Sequence, residues 1–144
     1  MFKSFLLFPL VLFSGLISIC SASPTLTPEE LKAFYKEAYA HTVENMQSTK
    51  ADYSQYFAKD FVMHMDGQTL NFDDYVQFML DIRKGVDNVK IEFKDMIAEN
   101  DGVATVHTTR ITKNNGERIT LNVISFFKVR NRQFTSGHEL TRLE

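Results

Sequence analysis

One cysteine, no tryptophan and only three prolines occur in the 144 residues of this chain, and its net charge is close to zero at −2. A lone cysteine cannot close an internal disulfide, so the fold must be held by its core. Acidic and basic residues are interspersed, and no basic tract is long enough to follow a phosphate backbone, which argues against a nucleic-acid partner. The four histidines are scattered, with no helical pair at ligand spacing, so no metal site is expected. Phosphate loops, dinucleotide fingerprints and serine nucleophile elbows are absent as well, which leaves no resident cofactor to expect. No internal repeat or low-complexity stretch interrupts the sequence.

What the chain does have begins with one long apolar run, Phe5 to Ile19, preceded by Lys3 and followed by the small residues Cys20-Ser21-Ala22. That order is the pattern of a secretory signal peptide over residues 1–22, with Ser23 opening the mature chain and a secreted or periplasmic location. Pro9 and Gly15 interrupt the run, and it is shorter than the ~20 residues that span a bilayer, so no stable membrane insertion is expected after cleavage. Ile19 stands where a lipid-modification site wants a small residue, which argues against a lipidated Cys20. The remaining chain of about 120 residues, 23–144, has the size of one domain. Its many phenylalanines and tyrosines, 13 and 5 in the full chain, supply large apolar surface to a core or a ligand site.

Thr27-Pro28-Glu29-Glu30 predicts a helix start, with a hydroxyl N-cap, proline in the first turn and Glu30 placed to complete a capping box. Leu31, Phe34, Tyr35, Ala38 and Met46 then recur on one side, so a long helix reaching about Gln47 should lie across a sheet. A second helix is expected over Lys50 to Ala58 and a short strand over Phe61 to Met65, stopped at Asp66-Gly67. Asn71 caps a third helix whose buried stripe is Phe72, Tyr75, Val76, Met79 and Ile82, with Gly85 as its C-cap.

From Val89 the apolar period drops to two, and turns at Asp101-Gly102, Asn115-Gly116 and Asn131-Arg132 divide the remainder into an antiparallel meander. With two-residue turns at the last two, Ala104, Val106, Thr108 and Arg110 share a face with Leu121, Val123, Ser125, Phe127 and Val129. Phe134, Ser136, His138 and Leu140 join that greasier face, which is expected to turn toward the helices. Thr105, His107, Asn122, Ile124, Phe126 and Glu139 fall on the opposite face, open to water or another subunit. A single bulge exchanges every assignment downstream of it.

Helices first, a short strand, another helix and then a long meander is an order that resembles the SnoaL-like branch of the nuclear-transport-factor-2-like superfamily. The resemblance rests on Tyr56 to His64 before Gly67, on Phe72-Asp73, on Phe126 to Asn131 leading to Phe134, and on His138-Glu139-Leu140-Thr141. It implies an α+β, cone-shaped fold in which N-terminal helices pack on a curved antiparallel (mixed) β-sheet and leave a cavity at the wide end, often in a homodimer. Cyclases of this kind use an aspartate on a late strand as acid and base, with a histidine nearby. The matching stretch here reads Gly137-His138-Glu139 and lacks that aspartate.

That departure counts against cyclase activity; His138 is the expected catalytic residue because its assigned face packs against the helices, Ser125 is its expected cross-strand neighbour and an imidazole there relays protons near neutral pH. Tyr35, Tyr53, His64 and Ser125 join it as expected ligand-binding residues around a small apolar or amphipathic molecule. Asp66 is read as a turn cap, Met63, Met65 and Met79 as adaptable filling. Glu139 can act as a base only if a bulge turns it inward, and His107 shares that difficulty. The competing expectation is a noncatalytic homodimer or interaction module built on the face of His107, Asn122, Ile124 and Phe126.

Overall fold

The computed structural model describes residues 25–144. The expected signal peptide, residues 1–22, lies outside the described residues. Helix α1, Pro28–Tyr39, starts as its residues dictate: Thr27 Oγ1 accepts from Glu30 N at 3.3 Å while Glu30 Oε2 accepts from Thr27 N at 2.8 Å. Leu31, Phe34, Tyr35, Ala38 and Tyr39 form its buried stripe.

The helix then loosens into one π turn, Ala40–Glu44, and stops short of the expected Gln47. A π turn shifts the backbone ladder and releases carbonyls from it. That of Thr42 accepts from Ser48 Oγ at 2.9 Å, from Tyr53 Oη at 2.9 Å and from Arg83 Nη2. Helix α2 spans Lys50–Tyr56, with Asp52 Oδ2 accepting from Thr49 N at 2.7 Å, and leads directly into β1, Phe57–Met65. The first strand is thus longer than Phe61 to Met65, at the expense of the second helix.

Strand β2, Gln68–Asn71, folds back on β1 around Asp66 and Gly67, both at positive φ. Asn71 Oδ1 then accepts from Asp74 N at 2.9 Å to open α3, Phe72–Arg83. Lys84 ends that helix, and Gly85 is not in the left-handed conformation expected of a glycine cap. Strands β3 (Val86–Glu99), β4 (Gly102–Lys113), β5 (Arg118–Arg130) and β6 (Gln133–Leu143) complete one sheet in the order β2-β1-β6-β5-β4-β3. All neighbours are antiparallel except β1 and β6, so the sheet is mixed, and the helices cover one face of its curve. The α+β cone is as expected.

Two local features decide which side chains lie under the helices. Between β4 and β5 the loop is Asn114-Asn115-Gly116, with Lys113 N donating to Glu117 O at 2.8 Å and Gly116 at φ +82°. That is one residue longer than the expected turn, so Thr105 pairs with Ser125 and all of β4 is turned over. Val103, Thr105, His107 and Thr109 point inward, while Val106 and Arg110 are exposed. The β5–β6 turn has the expected two residues, Asn131 and Arg132, at φ +53° and +55°. Thr135, however, is an extra residue: Val129 pairs with Phe134 but Lys128 with Ser136.

Downstream of that bulge, Gly137 and Glu139 turn inward and His138 and Leu140 outward. A side chain at 137 is excluded, because an added Cβ would sit 2.6 Å from Phe127 Cε1 and 2.7 Å from Met63 Sδ. The core between sheet and helices is largely aromatic, with Phe134 centred 4.9 Å from Phe127, 5.0 Å from Phe57 and 5.1 Å from Phe34. Each such ring contributes roughly 1.5–3 kcal/mol by leaving water.

Candidate functional site

Beyond this aromatic core, where α3 and the π turn splay from the sheet, a cavity of about 210 Å³ opens. Its wall is mostly aliphatic, from Val43, Met65, Met79, Val89, Leu121 and Val123, with polar groups from Asp66, Arg83, Thr109, Glu139 and Thr141. The size suits a ligand below the ~300–1,000 Å³ range that houses drug-sized molecules.

Glu139 is the chemically distinctive group in that wall. Burial in apolar surroundings pushes its carboxyl up to about 7, the Tyr39 hydrogen bond pulls it back, and nearby Asp66 raises it. Tyr39 Oη donates to Glu139 Oε2 at 3.2 Å. Asp66 is held by the last strand, accepting from Thr141 N at 2.8 Å and from Thr141 Oγ1. A carboxyl balanced near neutrality, beside apolar wall, can both take and return a proton.

A buried polar chain lies alongside. Tyr35 Oη is 2.8 Å from Ser125 Oγ, which is 2.8 Å from Thr105 Oγ1, which is 2.9 Å from His107 Nδ1. His107 is 2% exposed, and burial draws its imidazole down to about 4, so it is neutral at physiological pH. Tyr35 and Tyr39 stack at 4.4 Å and 18°, and burial drives both phenols upward.

The expected site residues separate into three places. Tyr35 and Ser125 do meet in the interior. Tyr53, also buried, turns away to the Thr42 carbonyl and receives Arg83 Nη2 at 2.6 Å, bracing the π turn. Arg83 Nη1 reaches Ser48 O at 3.0 Å, while its buried Nε has no acceptor. His64 and His138 pair in register on β1 and β6 and stack at 4.6 Å on the outer face, both exposed. His64 Nδ1 lies 3.0 Å from Thr69 Oγ1.

The inward orientation expected of His138 is thus corrected by the Thr135 bulge, and the one expected of Thr108 by the longer β4–β5 loop. Both changes bring in the residues that simple alternation put outside, Glu139 and His107. Tyr39 and Arg83 were not singled out by the sequence. Tyr39 was legible as the next position of the helical stripe, whereas nothing in the local sequence marks Arg83. Among the described residues, no three His, Cys, Asp or Glu side chains cluster as metal ligands, and no helix is long and apolar enough to cross a membrane.

Comparison with known proteins agrees with this architecture. AclR from Streptomyces galilaeus superposes with a TM-score of 0.69 at 18% identity, over 81% of this chain and 77% of that one. An M. tuberculosis LEH-like epoxide hydrolase gives 0.66 at 14% identity, over 80% and 84%. At these identities the likeness is one of fold. A curated relative, an uncharacterized protein of Schizosaccharomyces pombe, is 23% identical over 86 residues, which are 60% of this chain and 66% of that protein, just under two-thirds of its length. Residues 31–137 match the SnoaL-like domain, and with that span covering most of the helices and the sheet, the chain belongs to the SnoaL-like family.

Proposed function

We propose that this protein binds a small apolar or amphipathic molecule in the cavity beneath α3 and the π turn and transfers a proton to or from it with Glu139. The reaction class is proton transfer of the isomerase, cyclase or dehydratase type, carried by the protein's own carboxyl. One observation carries the reading: a glutamate raised to about 7 in a mostly aliphatic cavity, with a single phenol donating to it. As a carboxylate it abstracts a proton from a carbon or hydroxyl of the ligand. As a carboxylic acid it returns that proton to another atom, and the aliphatic walls keep bulk water from competing. The N-terminal pattern supports a secreted or periplasmic setting for this chemistry. The test is deuterium exchange beside the carbonyl of small cyclic ketones in heavy water. Wild type should exchange them, and Glu139→Gln should lose roughly 10²–10⁴-fold, the usual worth of a positioned acid–base group. Equal exchange by both proteins would exclude the role.

A second reading is supported by the outer face. Val106, Ile124 and Leu140 are cross-strand neighbours 41%, 60% and 65% exposed, and Phe126, 40% exposed, extends the patch. We propose a second copy of this chain as its cover, which makes the protein a homodimer and, in a noncatalytic version, an interaction module.

A further inference from the structure

Arg83, the last residue of α3, lines the same cavity from its helical side, and its charge meets no acid. Nη1 donates to Ser48 O at 3.0 Å, and Nη2 donates to Thr42 O and, at 2.6 Å, to Tyr53 Oη. All three acceptors are neutral. The guanidinium carbon also lies 5.4 Å from the centre of the Tyr53 ring, a cation–π contact. Among the described residues, no carboxylate lies within ion-pair distance of Arg83. Of its five N–H donors, the second on Nη1 and the buried one on Nε have no acceptor.

A cation drawn this far out of water is normally paired, because carbonyl dipoles and a phenol replace only part of its hydration. The C-terminal dipole of α3 favours a cation at this end and still falls short of a full negative charge. The three hydrogen bonds also hold the head group in place, so the unmatched charge is fixed against the cavity wall. The acids stand on the sheet side of that wall. Asp66 N donates to Glu139 O at 3.2 Å, and the Asp66 carboxylate is clasped by Thr141, which keeps both acids together at β6. Neither pairs with Arg83.

We propose that the ligand of this cavity is a short aliphatic carboxylate, anchored through its carboxylate on Arg83 and directed by its other end toward Glu139. The inference rests on the reading of the cavity as the ligand site and names the class of molecule it takes. Size sets the length: 210 Å³ is the liquid volume of about seven waters, which suits a chain of roughly six carbons with its head group. Charge sets the direction. Asp66 repels the carboxylate and Arg83 attracts it, so the carbonyl- or hydroxyl-bearing end of the molecule is left for the proton carrier, and the chain lies on Val43, Met79 and Val89.

Calorimetric titration at pH 6 with hexanoate and with hexanol, equal in chain length, tests this. An apolar cavity without an anchor prefers the alcohol, since a carboxylate must shed more tightly held water. The protein should instead bind hexanoate roughly tenfold more tightly, the usual worth of a hydrogen bond to a charged group. Arg83→Met, which keeps an apolar stem, should reverse the preference. Because Arg83 also braces the π turn, the unsubstituted protein supplies a second readout: bound hexanoate should shift the Arg83 Nε–H signal in nitrogen-15 spectra, and bound hexanol should leave it in place. Equal or tighter binding of hexanol by the wild type overturns the anchor and leaves the cavity reading standing. A Nε–H signal unmoved by bound hexanoate overturns the anchor in the same way. Failure of both molecules to bind overturns the anchor and the cavity reading together.

Discussion

Ser125 on β5 pairs directly with Glu139 on β6, and both side chains turn inward beneath Tyr35 and Tyr39 of α1. This cross-strand pair places the Glu139 carboxyl next to the buried hydroxyl row, and the Tyr39 hydrogen bond ties its protonation to α1. Replacing Tyr39 by Phe removes the donor and keeps the ring. The Glu139 midpoint should then move upward from about 7, because the hydrogen bond that favours the carboxylate is gone. Carboxyl carbon-13 titration of the variant checks this, and a downward shift would contradict it.

Stability should depend on pH through two opposed groups. Glu139 is raised from 4.5 to about 7 on folding, so the native state holds a proton that the unfolded chain has released, and stability falls as pH rises between these values. His107 is lowered from 6.5 to about 4, so the unfolded chain binds a proton that the native state refuses, and stability falls as pH drops through that window. Each effect is on the order of 3 kcal/mol, and from about 4.5 to 6.5 they offset one another. Urea titrations should show a flat wild-type profile in that range. Glu139→Gln should become less stable toward acid, and His107→Gln less stable toward neutral pH.

Gly137→Ala should destabilise the fold by about 1–3 kcal/mol, since its methyl would overlap Phe127 and Met63, both fully buried. Chemical denaturation measures the loss. A neutral effect would mean that the β6 bulge shifts easily, and with it the inward position of Glu139.

Ile124→Asp should convert a homodimer to a monomer without altering the cavity, because Ile124 is 60% exposed at the centre of the outer apolar patch. Sedimentation across a concentration series distinguishes the two. A wild-type protein that remains monomeric throughout would remove the second copy as the cover of this face.

The fold was legible because its signals are local. The Thr27–Glu30 capping box, the stripe from Leu31 to Ala38 and the alternation of β5 need no knowledge of distant contacts. The same alternation assigned Ser125, Phe127 and Val129 to the inner face, as the structure has them. What alternation cannot carry is parity across an irregularity. Asn114-Asn115-Gly116 suits a three-residue loop as well as Asn115-Gly116 suits a two-residue turn, and only the charge of Arg110, awkward on an inner face, argued for the longer one. The Thr135 bulge has no comparable mark. It goes with the packing of Phe134 on Phe127 across the hairpin and with the bare Gly137 lying against Met63 of the distant β1, a contact that local sequence does not announce. One unmarked residue therefore exchanged His138 for Glu139 in the cavity.

The central claim is that Glu139 is the cavity's proton carrier, and its own titration tests this most directly. Carbon-13 spectra of the glutamate carboxyls, with the Glu139 signal assigned by its loss in Glu139→Gln, should show one midpoint near 7. A Glu139 midpoint at the ordinary 4.5 would contradict the account.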